Sequence, residues 1–232
     1  LCPVRTRHLD AGETEAAHAA KHRSIEYVLL LTLPAVAGLL VLAGPIMIVL
    51  FGHGSFTEHD ALLSAQSLRA YAIGLPAFVL VKVLSPAFFA RGDTRTPVYI
   101  GIGVLLLNFV LNLLFMKPLV HMGPPLASSL AAVINVAVLA FLLRQKNALL
   151  LAPELLGGIA RVGLGAAVMA LLLVGIETLL PLPTHFLMRL IWLTVMVGAG
   201  GIFYAGMLHM LGVIDLADVL AGLRRRLNRK RT

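Results

Sequence analysis

The sequence predicts an all-α fold, a polytopic bundle of six transmembrane helices, and three observations predict it. Hydrophobic residues make up 59% of the chain and charged residues only 13%, where a soluble domain is about a quarter charged. Six apolar runs are each long enough to cross a hydrocarbon core about 30 Å thick, which takes about 20 residues of helix. The connections between these runs alternate between basic and non-basic.

Residues 1–24 read as a cytoplasmic segment, with a short helix over Gly12–Ala20 feeding the first span, Tyr27–Leu50. Leu1 is not an initiator methionine, and the opening lacks the basic-then-apolar order of a signal peptide. The simplest account is a chain that begins inside a longer protein, just past an earlier helix. Residues 25–146 hold this first span and three more, Ala70–Ala90, Val98–Met116 and Pro125–Leu143. Residues 147–212 hold a second group, Leu155–Ile176 and Phe186–Leu211, rich in glycine and without a central charge. Small residues let such helices pack closely. Residues 213–232 form a basic tail, where Asp215 and Asp218 alternate with Leu216, Val219 and Leu220 at the spacing of a short surface helix.

The net charge of +8 is explained by where the charge falls. Arg5, Arg7, Lys21 and Arg23 precede the first span, and Phe51–Asp60 has no Lys or Arg. The next connections hold Arg91 and Arg95, then Lys117 alone, then Arg144 and Lys146. Glu177–His185 has none, and the tail carries Arg224, Arg225, Arg226, Arg229, Lys230 and Arg231. This is the positive-inside pattern, and it puts both termini in the cytoplasm. It offers no aromatic-interleaved surface for nucleic acid. The tail either anchors the topology or also holds anionic membrane lipids, at about 1 kcal/mol per charge near the surface. Cys2 is the lone cysteine, so there is no disulfide framework. The histidines are scattered, and His53 and His59 beside Glu58 and Asp60 read as a solvated loop face, so no metal site is expected. With neither a phosphate-binding loop nor a Ser, His and acid constellation, the chain is not expected to be an enzyme and needs no cofactor.

Within the membrane the informative residue is Lys82, nine positions before Arg91 and so about 13 Å up the helix from it. A lysine at that depth costs about 3 kcal/mol even on insertion scales. It either faces a polar cavity or a substrate anion, or snorkels to the interface. Arg69 opens the same helix and is a candidate for the mouth of such a cavity. Pro34, Pro45, Pro76 and Pro86 are candidate helix breaks, since proline removes a donor and clashes with the preceding turn. Asn108 and Asn112 share a helix face four residues apart. Asn108 can bridge to Asn135 on the next helix, or these amides with Ser128 and Ser129 can form a polar, cation-coordinating site. In the loop Arg91-Gly-Asp-Thr-Arg-Thr-Pro97, Gly92 permits a turn, Asp93 or Thr94 can cap the next helix and Pro97 suits a first helical turn. Its arginines, Arg91 and Arg95, together with Asp93, can also engage an anionic headgroup.

Several of these residues fall in an ordered series of motifs: Leu50-Phe-Gly-His-Gly-Ser-Phe-Thr57 with Asp60, Leu68-Arg-Ala-Tyr-Ala-Ile-Gly-Leu-Pro76, Val81-Lys-Val-Leu-Ser-Pro-Ala-Phe-Phe-Ala90 and Gly92-Asp-Thr-Arg-Thr-Pro97. The series resembles the C-terminal lobe of the MurJ/MviN lipid II flippases, from about Arg7 onward, with Phe88-Phe89-Ala90 where Phe-Tyr-Ala or Phe-Tyr-Ser is commoner. The resemblance implies membership of the multidrug/oligosaccharidyl-lipid/polysaccharide exporter superfamily, with these spans standing as helices nine to fourteen of fourteen. On that footing the last pair would form a groove for a lipid tail. The substrate implied is lipid II, undecaprenyl-pyrophosphate-linked disaccharide-pentapeptide, moved between leaflets of the bacterial inner membrane by alternating access. The resemblance implies cavity positions for Lys82, Arg91 and Asp93. It also implies a partner, the N-terminal lobe of the same protein, without which six spans enclose half a cavity and are expected to be inactive. Some members hold a cation on helices matching spans three and four. Asn112 stands at such a position, but no acid stands beside it, which departs from that pattern; no cofactor is expected, and what the resemblance leaves open is coupling to the membrane potential or to a monovalent cation. The alternatives are an exporter of another lipid-linked glycan or small substrate, and a membrane scaffold that transports nothing.

Overall fold

The computed structural model describes residues 3–52, 54, 56–146 and 153–213, with side chains from residue 22 in the first stretch and from residue 156 in the last. Cys2, His53, the loop 147–152 and the basic tail beyond residue 213 lie outside the described residues, and so do the expectations placed on them. The fold is all helical, with α1 over Pro3–Phe51, α2 over Glu58–Phe89 and α3 over Arg95–Leu119. A 3-10 turn over Val120–Met122 leads to α4 over Gly123–Gln145, and then come α5 over Pro153–Leu179 and α6 over Phe186–Met210.

Three boundaries differ from the expectation. α1 is a single helix of 49 residues, not a short cytoplasmic helix followed by a span, and its apolar part is His22–Phe51. α2 starts at Glu58, twelve residues before the apolar run, because Thr57 caps it: the Thr57 hydroxyl accepts from the Asp60 N–H at 3.2 Å while Asp60 Oδ2 accepts from the Thr57 N–H at 2.9 Å. This reciprocal cap stabilises three polar helical turns that carry too many hydroxyls and amides to register as apolar. Lastly, α3 and α4 join without a gap, so the described residues hold five uninterrupted apolar helical stretches where the sequence predicts six spans, one of them Arg95–Gln145 at 51 residues. That stretch is far longer than a bilayer requires, and the chain reverses in it at Val120, whose φ is +44°. The two arms pack against each other as an antiparallel pair.

The prolines do not break their helices. Pro34 and Pro45 lie inside α1, and Pro76 and Pro86 inside α2, with helix continuous on both sides. Each leaves one carbonyl, four residues earlier, without its helical donor. At Pro34 that carbonyl is Leu30's, and the Tyr204 hydroxyl of α6 donates to it at 2.9 Å. Pro45 frees the carbonyl of Val41 in the same way; the Arg69 side chain donates close by, through Nε to the Leu40 carbonyl at 2.9 Å, and so ties α2 to α1 one residue away. At Pro34 a neighbouring helix thus satisfies the backbone that proline exposes, as hydrocarbon demands.

The helices stand in a row that does not follow chain order. α2 packs between α1 and α4; α3 lies beyond α4, and α5 and α6 lie beyond α1. α1 is therefore the wall shared by two cores. On one side Ile25 and Leu29 meet Leu84, Ala87, Phe88, Leu139 and Leu143. On the other, Ala37 and Leu42 meet Val162, Met169, Leu173 and Leu208. The outward surface is apolar: Tyr99, Leu105, Phe109, Leu171 and Ile202 are all more than 60% exposed. α3 buries no residue at all, an arrangement suited to a hydrocarbon solvent and costly in water.

Candidate functional site

α1 and α4 cover two sides of α2 and leave a third open. Tyr71, Lys82 and Phe89 follow Ser64 by 7, 18 and 25 residues, each close to a whole number of turns at 3.6 residues per turn. They form one stripe, and Tyr71, Lys82 and Phe89 are all exposed along it. Lys82 makes no hydrogen bond or ion pair among the described residues. Pro86, four residues on, lacks the N–H that would normally donate to Lys82's own carbonyl. The Lys-x-x-x-Pro spacing is legible in the sequence and marks this point of the helix twice.

Arg69 is not part of that stripe. Thirteen residues separate it from Lys82, which leaves the two side chains roughly 140° apart around the helix, and its Nε is committed to α1. At the Phe51–Thr57 end of the bundle the stripe opens into a recess of about 360 Å³. Met47, Leu63, Ser64, Ser67, Tyr71 and His121 line it. His121 closes its edge: the ring Nε2 lies 2.8 Å from Gln66 Oε1 and the His121 carbonyl accepts from the Ser67 hydroxyl at 3.1 Å.

The opposite end of the bundle carries a clasp. Gly92, with φ +73°, makes the turn that L residues avoid and brings Asp93 back to the Phe88 carbonyl at 3.1 Å. Asp93 Oδ1 accepts from the Thr96 N–H at 3.0 Å and Oδ2 from the Thr96 hydroxyl at 2.8 Å, so Asp93 is the residue that caps α3. Lys146, at the end of α4, reaches Asp93 Oδ2 at 2.5 Å and lies 5.5 Å from the centre of the Phe88 ring. Arg91 donates through Nη1 to the Lys146 carbonyl at 2.9 Å. Arg95 is exposed and takes no part. Lys146 was not among the sequence candidates, because nothing in the chain pairs it with a residue 53 positions earlier.

The hydrogen bond from Lys146, then those from the Thr96 backbone and side chain, hold the Asp93 carboxyl down at about 2 against an ordinary 3.8. A carboxylate with a depressed folded value contributes stability above its unfolded value and loses it as pH falls through the folded one. The clasp is therefore complete at neutral pH and weakens between roughly pH 4 and pH 2. Asp93→Asn is expected to flatten that part of the stability profile. Unfolding midpoints of parent and variant across this range check it, and parallel curves would disprove the role of Asp93.

The asparagines form a polar group with Ser128, not a bridge from Asn108 to Asn135. Asn108 Nδ2 donates to Ser128 Oγ at 3.3 Å, and Asn112 Nδ2 donates back to the Asn108 carbonyl at 2.8 Å and to Asn108 Oδ1 at 2.9 Å. Asn135 is not Asn108's partner. A Cβ on Gly123 would lie 2.7 Å from the Phe115 carbonyl oxygen, so residue 123 sits against residue 115. At that register Asn135 falls opposite Gly101 and Gly103. Ser129 also turns away from this group, donating from its hydroxyl to the Ala70 carbonyl at 2.7 Å while 3% exposed.

Comparison with known proteins fits this architecture. A model of the family described as lipid II flippase MurJ matches residues 1–195. The chain belongs to this family. It is 36% identical over 215 residues to a Vibrio cholerae protein named probable lipid II flippase MurJ, covering 92% of this chain and 41% of that protein. A Haemophilus influenzae protein of the same name is 32% identical over 227 residues, covering 92% of this chain and 43% of its own length. The chain thus spans about two fifths of these curated relatives. A solved structure titled lipid II flippase MurJ, inward closed conformation, shares the fold at a TM-score of 0.70 and 23% identity, over 85% of this chain and 39% of that one. MurJ membership accounts for the membrane-spanning bundle. The stripe on α2 and the clasp at its end are the features of this chain that the family likeness leaves to be interpreted.

Proposed function

We propose that this chain is part of a flippase that carries lipid II from the cytoplasmic to the periplasmic leaflet of the bacterial inner membrane by alternating access. The observation that supports the reading best is Lys82, exposed on the open face of α2 in a chain of the MurJ family. An ammonium group inside hydrocarbon is costly by itself, and a pyrophosphate brought into the same low-dielectric space offsets that cost while it stays. The remaining walls of the cavity come from the part of the relatives' length that this chain does not span.

Movement between leaflets breaks no covalent bond, so the reading requires no catalytic group. In this scheme the residues bind, shield and release. The clasp of Arg91, Asp93 and Lys146 holds the α2–α3 loop to the end of α4, so these helices rock as one body. Arg91 and Lys146, from two basic connections, meet at the clasp end, and His121, from the connection whose one basic residue is Lys117, packs at the other end beside Met47 and Ser67. That sorting supports a cytoplasmic clasp and cytoplasmic termini. The driving force proposed is the membrane potential, about 2.3 kcal/mol per charge per 100 mV, or a monovalent cation taken up with the substrate.

The test is transport in a protein of the relatives' full length that carries this segment, normalised for membrane abundance. Lys82→Gln is expected to cut the rate tenfold or more, about 1.4 kcal/mol, with insertion unchanged, and Lys82→Arg to keep part of it. A Lys82→Gln protein that transports like its parent would reduce Lys82 to a snorkelling, structural residue.

A further inference from the structure

Lys82 accounts for one end of the α2 stripe and leaves the recess at the other end unexplained. Among the described residues, neither the Ser64 hydroxyl nor the Tyr71 hydroxyl has a hydrogen-bond partner, although Ser67, Gln66 and His121 beside them are engaged. The Tyr71 ring is 45% exposed, and it shares the recess with the apolar side chains of Met47 and Leu63. A face that combines an open aromatic ring, free hydroxyls and a few methyl groups suits a ligand with both C–H and O–H surfaces. A hexose is such a ligand: its axial C–H bonds lie against an aromatic ring and its hydroxyl groups pair with hydroxyls at the rim.

Position along the helix narrows the choice further. Tyr71 lies eleven residues, three turns, from Lys82 on the same side of α2, or roughly 16 Å along the axis. A pyrophosphate followed by two hexose rings in a row spans that length. A polyprenyl tail would instead favour the wholly apolar outer faces of the bundle and would leave the free hydroxyls unpaired.

We propose that the recess of Ser64, Ser67, Tyr71 and His121 is a sugar subsite, which takes the disaccharide of a lipid-linked substrate whose pyrophosphate lies at Lys82. The subsite rests on the flippase reading for the identity of the anion, and its own content is that affinity for the sugar resides at Tyr71. In transport, the subsite would reward arrival of the headgroup at the far end of the cavity, and the phosphate would follow.

Two probes separate the subsite from the flippase reading: a short-chain polyprenyl pyrophosphate, and the same lipid bearing a disaccharide. Binding of each is measured by native mass spectrometry to the full-length protein carrying this segment. Tyr71→Leu is expected to weaken the disaccharide-bearing probe about tenfold and to leave the bare pyrophosphate within about twofold of the parent. Tyr71→Phe, which keeps the ring and loses one rim hydroxyl, should weaken the disaccharide-bearing probe less than Tyr71→Leu does and leave the bare pyrophosphate unchanged, and Lys82→Gln should weaken both. Equal loss of both probes in Tyr71→Leu would place the tail or the phosphate in the recess and overturn the proposal, as would no loss of either. Should the parent bind neither probe, the flippase reading itself falls, and the subsite with it.

Discussion

Replacing Gly74 with valine is expected to part α2 from α4 and to leave little folded protein in the membrane. A Cβ at residue 74 would stand 2.5 Å from Ser129 Oγ and 2.8 Å from Ser129 Cα. The nearer atom could rotate away, but the second is backbone of α4 and cannot. Ser129 is also held in place, because its hydroxyl closes on the Ala70 carbonyl one turn before Gly74. The crossing is built from small residues on both sides, Ala70, Gly74 and Ala77 against Ala127, Ser129 and Ala131, all buried. Such spacing lets backbones approach until dispersion and one interhelical hydrogen bond hold them. Overpacking of a fitted contact costs about 1–3 kcal/mol. Gly74→Ala should sit in that range and Gly74→Val beyond it. The reference is Gly198→Ala, where an added methyl meets nothing within 4 Å. Unfolding midpoints in mixed detergent micelles compare the three. A Gly74→Ala protein as stable as Gly198→Ala would show that α2 and α4 do not cross this closely.

The difference between what the sequence reveals and what it hides follows from the range of each interaction. Helix positions were legible because hydrocarbon selects for composition, and composition is local; the ends of α3, α4, α5 and α6 fall within a few residues of their apolar runs. The start of α2 was not, since a capping box between Thr57 and Asp60 extends helix into polar sequence that an apolar count passes over. Lys82 stood out because a charge amid apolar neighbours needs no partner to be conspicuous. Asn108 was conspicuous too, but its partner depended on the register of the α3–α4 hairpin. A reversal within three residues at Val120 shifts that register, and Ser128 replaces Asn135. Lys146 and Asp93 meet because α4, not α3, packs beside α2, and chain order suggests the reverse. The recess at Tyr71 combines three elements and was visible in none of them.

Proline offers a sharper case, where a local rule states which atom is left over but not who claims it. Pro34 deprives the Leu30 carbonyl of its helical donor, and in a membrane no water replaces it. The structure supplies Tyr204, 6% exposed, whose hydroxyl donates to Leu30 across the α1–α6 contact at 2.9 Å. The ring fits there because Gly165 of α5 leaves room: a Cβ on that residue would lie 3.3 Å from Tyr204 Cε2. Tyr204→Phe is therefore expected to destabilise by about 1–3 kcal/mol, the cost of a buried acceptor left without a donor. The same change in a Pro34→Ala background should behave differently. Alanine has the N–H that proline lacks and can reclaim the Leu30 carbonyl, so the tyrosine hydroxyl becomes the group without a partner, and its removal should be neutral or stabilising. A double-mutant cycle on unfolding midpoints should then show coupling of about 1–2 kcal/mol between these two residues, far apart in the chain. Pro34→Ala alone should fold, since it restores a helical hydrogen bond. Strictly additive effects, or a Pro34→Ala protein that cannot be recovered folded, would mean that Tyr204 contributes its ring to the packing of α5 and α6 on α1 and that its hydroxyl is incidental.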